Sequence, residues 1–347
     1  MATTEAPPRT GRRLPVWRMV AEPIVGAIAF LVVLVVTLPA LAGLSDAPGF
    51  AHLTSFRLIC GLGWFVVALM LAPFVRRRYP LVIWLLVVAV LAGAVNSLFV
   101  VARGTGDELT GKPRRAASLL TLNTLGGAAS VPELTNLIVR TRADAVALPE
   151  TSVEVAREIA DRARARGHDL QVFGGQQSPY SFGQTSLLVS YTWGGYQAKD
   201  TPDTGLGAIV VEPRRGRGPV IAAVHSPPPM PVRVERRMWP WLLGADAAAR
   251  LCRTGQADVV LGDVNMTPDH PSLGKLGRCR DAAGEVGAGA MGTWPARFPA
   301  AFGAPIDHVF LDSVRWRAMR ASTVRVSGTD HRAVVVYAAR NEKPYDS

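Results

Sequence analysis

Three stretches of the chain carry no charged residue: Pro23 to Leu44, Leu58 to Val75 and Tyr79 to Ala102. Each is about 18–24 residues long, and a helix needs roughly 20 residues to cross the hydrocarbon core of a bilayer. Runs of this length are too long for strands and too uniformly apolar for amphipathic surface helices. One such run alone could be a buried core helix, and the first could be a signal peptide, although it exceeds the usual apolar region of one. Three in succession, joined by short polar connectors, predict three transmembrane helices within residues 23–103, preceded by a basic tail, 1–22.

From Ala117 onward the pattern changes to short apolar strands alternating with helical periodicity. Strands are predicted at Ser118–Asn123, Ala143–Leu148, Gln184–Ser190, Ala208–Val211, Pro219–Val224, Ala257–Leu261, Ile306–Leu311 and Arg332–Tyr337. Many are near-continuous apolar runs, as in strands buried on both faces. Helices are predicted at Val131–Arg142, Ser152–Arg166 and Arg233–Leu251. The alternation predicts an α/β domain over 117–340, large enough for a substantial core, and a short tail at 341–347. Between the two parts, 104–116 is a linker. Its stretch Gly104 to Arg115, rich in Gly, Thr and charge, predicts a flexible tether.

Composition agrees with a membrane part joined to a globular part: the 347 residues are 49% hydrophobic and 19% charged. Residues 1–116 hold 12 Lys and Arg against 5 Asp and Glu, whereas 117–347 hold 26 against 22. Much of the basic excess therefore flanks the apolar runs. Basic residues collect on the cytoplasmic side of membrane helices. Arg9, Arg12, Arg13 and Arg18 precede the first run and Arg76, Arg77 and Arg78 separate the second and third, while the first connector holds Arg57 alone. This predicts a cytoplasmic N-terminus and an extracellular globular domain, with Arg103, Lys112, Arg114 and Arg115 as the weaker counter-signal.

Several polar residues fall at predicted strand ends: Asn123, Glu150, His225, Asp263, Asn265, Asp307, Asp330 and His331. Taken singly, each is commonly a turn former or cap. Together, carboxylates, Asn and His at one edge of a sheet can hold a divalent cation and a phosphate. In order, the chain reads Leu-Asn-Thr at 122–124, Leu-Pro-Glu-Thr at 148–151, Val-His-Ser at 224–226, Gly-Asp-Val-Asn at 262–265, Ile-Asp-His-Val-Phe at 306–310 and Thr-Asp-His-Arg at 329–332. This series resembles the endonuclease/exonuclease/phosphatase superfamily, the fold of DNase I, over about residues 117 to 340. Pro149, Thr329 and His308 depart from the commonest residues of that pattern, yet none removes a group the chemistry needs.

The resemblance implies a four-layer α/β sandwich (DNase I-like) behind the three membrane helices, and metal-dependent hydrolysis of a phosphate ester. It implies Glu150, Asn123 and Asp330 as metal ligands. His331, Asp263, Asn265, His225 and Asp307 become the catalytic set: His331 at the scissile phosphate oriented by Asp307, Asp263 activating water, Asn265 positioning, and His225 donating to a nonbridging oxygen. Mg²⁺ or Mn²⁺ suits such oxygen ligands. No Cys-x-x-Cys, P-loop or Gly-x-Ser-x-Gly motif occurs. With the domain outside the cell, Cys252 and Cys279 are the candidate disulfide. A tethered site suits a phosphorylated substrate at the membrane, such as a lipid-linked phosphate or diphosphate. A tethered nuclease acting on DNA or RNA is the alternative, which the scattered arginines disfavour, since backbone binding needs clustered charge. A non-catalytic binding domain is the third reading.

Overall fold

The computed structural model describes residues 16–77, 79–106, 108–175, 181–216, 218–230, 239–271 and 273–341. The basic tail through Arg13, Arg78 and the 233–238 start of the third predicted domain helix lie outside these residues. The N-terminal part forms four helices: α1 (Val16–Thr37), α2 (Phe50–Ser55), α3 (Arg57–Leu71) and α4 (Pro80–Arg103). Three membrane helices were expected, and two apolar helical segments, Arg57–Val75 and Pro80–Arg103, are long and apolar enough to cross a membrane. The described apolar part of α1, Ala21–Thr37, is shorter. Small residues let α3 and α4 approach closely; a Cβ on Gly93 would lie 2.8 Å from the Phe65 ring. Their other faces leave Leu69, Met70, Leu91 and Val101 exposed.

Among the described residues twelve strands follow: β1 (Ala117–Thr121), β2 (Ala145–Pro149), β3 (Leu170–Gly174), β4 (Thr185–Ser190), β5 (Tyr196–Lys199), β6 (Gly207–Pro213), β7 (Ile221–His225), β8 (Val259–Asp263), β9 (Cys279–Asp281), β10 (Asp307–Asp312), β11 (Trp316–Arg325) and β12 (Arg332–Arg340). They form two mixed sheets, ordered β11-β12-β1-β2-β4-β3 and β5-β6-β7-β8-β10-β9. Each has one parallel pair at its centre, β1 with β2 and β7 with β8. Side chains alternate across a strand, so one strand feeds two cores. Leu119, Ala147 and Leu187 point between the sheets toward Ala223, Leu261 and Val309. Their neighbours Leu120, Val146 and Leu188 point outward, under α5 (Val131–Thr141) and α6 (Val153–Arg164). On the second sheet, Ala222, Val224 and Val260 meet α7 (Trp239–Arg253). Helices, sheet, sheet and helix make four layers. Ser130 and Ser152 cap α5 and α6 by accepting the N–H of Glu133 and Val155.

Cys252, near the end of α7, and Cys279, at the start of edge strand β9, are joined as a disulfide with Cα atoms 5.9 Å apart. A one-turn helix, α8 (Ala282–Glu285), follows β9.

The stretch after α4 is not the flexible tether expected from its composition. Gly289 N donates to Arg103 O at 3.0 Å and Ala290 N to Gly104 O at 2.9 Å. Gly104 serves close approach, since a Cβ there would lie 2.0 Å from Gly287 O. Further on, Tyr337 Oη donates to Thr110 O at 2.9 Å and Lys112 Nζ pairs with Asp144 at 2.6 Å. Leu109 packs on the core under α5 and α6. Partners from the domain hold the backbone at Gly104, Gly106 and Thr110, so the described part of this stretch runs as a strap. From the other side, Ala51 of α2 is fully buried in the core around Trp241 of α7.

Candidate active site

Parallel pairing at the centre of each sheet brings four strand ends to one pole. Beyond β1 lies Asn123, beyond β2 Glu150, and at the ends of β7 and β8 are His225 and Asp263. The antiparallel neighbours bring the starts of β10 and β12 to the same pole, with Asp307, Asp330 and His331. Val224 and Gly262 face each other across the β7–β8 pair, and a Cβ on Gly262 would lie 1.9 Å from Val224 O. Glycine before Asp263 is therefore a steric requirement of this crossing point.

All eight polar residues singled out by sequence meet here. Asn123 Nδ2 donates to Glu150 Oε1 and to Asp263 Oδ2, each at 3.0 Å. Glu150 Oε2 accepts from Gly126 N at 2.9 Å. His225 Nε2 lies 3.9 Å from Glu150 Oε1 and 3.7 Å from Asp263 Oδ2. His331 Nε2 lies 3.9 Å from both Asp263 Oδ2 and Asp330 Oδ1, while its Nδ1 bonds Asp307 Oδ2 at 2.8 Å. Asn265 turns its amide nitrogen to Ser226 O at 2.9 Å, and its main-chain N–H donates to Asp263 Oδ1. Glu150 and Asn265 both sit at positive φ, 58° and 53°. Such conformations cost of order 1–3 kcal/mol and persist where the surroundings hold them, often at functional sites.

Burial and mutual charge separate the titrating groups. Burial, helped by the charge of His331, lowers His225 to about 4, so it is neutral at pH 7. His331 moves the other way: burial opposes its charge, but Asp307 prevails and raises it to about 9. Burial and the neighbouring Asp307 push Asp263 up to about 7. A neutral imidazole, a charged imidazole and a carboxylate poised near neutrality thus share one pocket, an arrangement that separates acid and base roles.

Four carboxylates at one pole are costly without a cation or a proton. Among the described residues, Asp307 Oδ1 and Asp330 Oδ1 are buried without a hydrogen-bond partner. Donor atoms of Asp263, Asp307 and His331 lie within 4.8 Å of one another. A cation held at about 2.1–2.4 Å by oxygen ligands spans donors roughly 3–4.8 Å apart. The donor set therefore fits a divalent cation. Two sets compete for it: the Asp263, Asp307 and His331 trio, and the Glu150, Asn123 and Asp330 set expected from sequence. In the trio, Asp307 and His331 already bond each other.

The next layer includes groups that sequence reasoning passed over. Thr329 Oγ1 donates to Asn123 O at 2.7 Å and accepts from His331 N at 3.1 Å, so a Ser-to-Thr departure keeps the hydroxyl. Trp294 Nε1 donates to Asp330 Oδ2 at 2.8 Å, beside a cleft of about 490 Å³ lined also by Arg297, Arg325 and Thr329. His308 is tied at both nitrogens, to Asp281 at 3.0 Å and Met266 O at 2.8 Å, and so supports the loop after Asn265. Nothing in the sequence spacing of Trp294 marks its bond to Asp330.

The sequence model of the Endonuclease/Exonuclease/phosphatase family matches residues 120–331, more than half of the chain and the whole span of the site. The chain belongs to the endonuclease/exonuclease/phosphatase family. All three activities in that name break phosphate esters. A comparison with curated proteins finds no match. Among solved structures, an AP endonuclease from Archaeoglobus fulgidus shares 12% identity with a TM-score of 0.50, over 63% of this chain and 98% of its own. A humanized D. rerio TDP2 shares 15% with a TM-score of 0.49, over 65% and 99%. An endonuclease/exonuclease/phosphatase from Beutenbergia cavernae shares 15% with a TM-score of 0.47, over 67% and 73%. At this identity the likeness concerns the fold. The family match begins after the helices α1–α4.

Proposed function

We propose that the protein is a divalent-metal-dependent phosphoesterase tethered to a membrane by its N-terminal helices, acting on a phosphate ester at the outer face. The observation that carries the chemistry is the approach of Glu150 Oε1, His225 Nε2, Asp263 Oδ2 and His331 Nε2 to within 3.7–3.9 Å along the set. A bound Mg²⁺ or Mn²⁺ would supply charge neutralisation at the phosphoryl oxygens. Glu150, Asn123 and Asp330 are the residues to hold it. Asp263 accepts the proton of the attacking water, and the left-handed turn at Asn265 positions that water's side of the pocket. His331, kept charged by Asp307, faces the developing negative charge, and neutral His225 donates a hydrogen bond to a nonbridging oxygen.

Membrane attachment is supported by the two long apolar helices and their exposed side chains. The Cys252–Cys279 disulfide favours an oxidising compartment, hence the outer face. A lipid-linked phosphate or diphosphate fits a site held beside a bilayer. The test is a panel of lipid phosphates, lipid diphosphates, soluble phosphodiesters and nucleic acid, turned over by the full chain with Mg²⁺ or Mn²⁺. Glu150→Gln and His331→Ala should each lower turnover by about 10²–10⁴-fold on whichever class is accepted. Wild-type rates in both variants would refute the assignment, and a strongly salt-dependent preference for DNA would move it to a nuclease.

A further inference from the structure

A second buried charge cluster lies outside the site. Asp269 is four residues past Asn265 and is 5% exposed. Arg57, the first residue of α3, reaches it at 2.9 Å, and Arg103, the last residue of α4, grips both its oxygens, at 2.5 and 2.9 Å. Arg57 also donates to Thr37 O at the end of α1 and to Asn96 of α4. Both guanidiniums lie over the Phe99 ring, at 4.7 and 5.5 Å. The start of α3 and the end of α4 thus meet on one carboxylate of the loop that carries Asn265, and the end of α1 joins them through Arg57. Beside them the Phe56 ring lies 6.1 Å from Trp294, whose N–H holds Asp330.

Among the exposed large apolar side chains of the domain, which also include Tyr191, Leu243, Val314 and Met319, four share one pole. Leu125, Phe182, Met230 and Phe298 are 46%, 46%, 66% and 38% exposed. Each stands on a loop at the pole of the site: Leu125 follows Asn123, Phe182 precedes β4, Met230 follows His225 and Phe298 precedes Asp307. The exposed Arg297 and Arg325 line the cleft among them. Apolar side chains interspersed with arginines around one opening match the physics of a bilayer interface, where rings and alkyl chains enter the acyl boundary and guanidiniums meet headgroup phosphates.

We infer that this rim is a membrane-facing surface, held against the bilayer its own helices cross by the clamp of Arg57 and Arg103 on Asp269. The inference rests on the membrane-spanning reading of α3 and α4. Its geometry requires the dock to lie where those helices leave the bilayer, since the apolar runs start at Leu58 and end at Ala102. The active site, one aromatic contact away, then opens toward the headgroup layer. Asp269 is a positioning residue, and the phosphate ester it serves is one carried by an amphiphile in the adjoining leaflet.

The test is a depth map by spin labelling of the full chain with Cys60→Ser, reconstituted in phosphatidylcholine vesicles doped with a nickel-chelating lipid. Nitroxides are placed through Leu125→Cys, Phe298→Cys and Tyr191→Cys; Tyr191 follows β4 at the opposite pole. Headgroup nickel should relax the labels at 125 and 298 several-fold more than the label at 191. Equal relaxation at all three positions, or strongest relaxation at 191, overturns the proposal. Asp269→Ala should shrink the difference between 298 and 191; an undiminished difference removes the clamp from the proposal. Neither readout involves turnover, so a failed phosphoesterase assignment leaves them standing, and extraction of the chain without detergent would identify failure of the membrane reading itself.

Discussion

Two buried charge clusters sit within one loop of each other and are built on opposite plans. At the active site, four carboxylates and two imidazoles converge, and two buried carboxylate oxygens have no hydrogen-bond partner among the described residues. At the dock, one carboxylate is shared by two guanidiniums, and burial, which would raise Asp269, is overcome by Arg103 and Arg57, which hold it below the usual carboxylate range. The first cluster has an excess of carboxylates and calls for a cation; the second has an excess of guanidiniums, leaves Arg57 Nε without a hydrogen-bond partner among the described residues, and locks two parts of the chain together. Burial alone therefore does not distinguish a reactive cluster from a structural one. The balance of charge within it does.

The comparison breaks most sharply on metal removal. Chelation should abolish turnover, with recovery on adding Mg²⁺ or Mn²⁺, and should lower the thermal midpoint, because an ion bound only by the folded state stabilises it. The dock should not register the ion. Asp269→Ala should show the same metal-dependent shift of midpoint as wild type, since separate clusters add independently. A lost shift in that variant would show the clusters to be one.

Next in size is the cost of breaking each cluster. Asp269→Ala leaves two arginines facing a buried gap and should destabilise the chain by about 3–5 kcal/mol in denaturant melts. In metal-free protein, Glu150→Gln should have the reverse sign, a small stabilisation, because it removes one of several crowded negative charges. Equal destabilisation by both would end the distinction.

Smallest, and most diagnostic, is the response to pH. Asp269 has its folded pKa lowered, so its stabilisation is present above the ordinary carboxylate range and fades as pH falls through the folded value. Asp263 has its folded pKa raised from 3.8 to about 7, so its contribution is whole below 3.8 and is lost as pH rises through about 7. Metal-free protein should therefore lose the Asp263 contribution as pH rises from 4 to 7, opposed at the site by His225, whose pKa lowered to about 4 adds stability over the same range, while the dock weakens only in stronger acid. Asp269→Ala should erase the acid limb alone, read by melting across pH.

Legibility in the sequence followed burial. The strands anticipated from apolar runs, such as Val146–Leu148 in β2 and Val259–Leu261 in β8, lie inside their sheets, buried on both faces. The four that escaped, β3, β5, β9 and β11, are the four sheet edges. An edge strand keeps polar side chains in solvent, so Trp316–Arg325, with Arg317, Arg320 and Arg325, carries no apolar run to read. Site residues were visible because strand ends hold them in short local motifs. The dock was invisible because Arg57 and Asp269 are 212 positions apart, and Arg57 and Arg103 read as flanking charges that report orientation. Composition also misled at Gly104: glycine there serves a tight contact with Gly287, not freedom of the chain.

The full burial of Ala51 beside Trp241 bears on where this enzyme can be cut. A soluble fragment starting at the strap would retain every catalytic side chain, yet it would open a hole over Trp241 and leave Asp269 facing water without a counterion. Trimming for crystallisation or secretion is better designed around a corner spanning 50–57, grafted or replaced, than around the apparent gap between helices and strands.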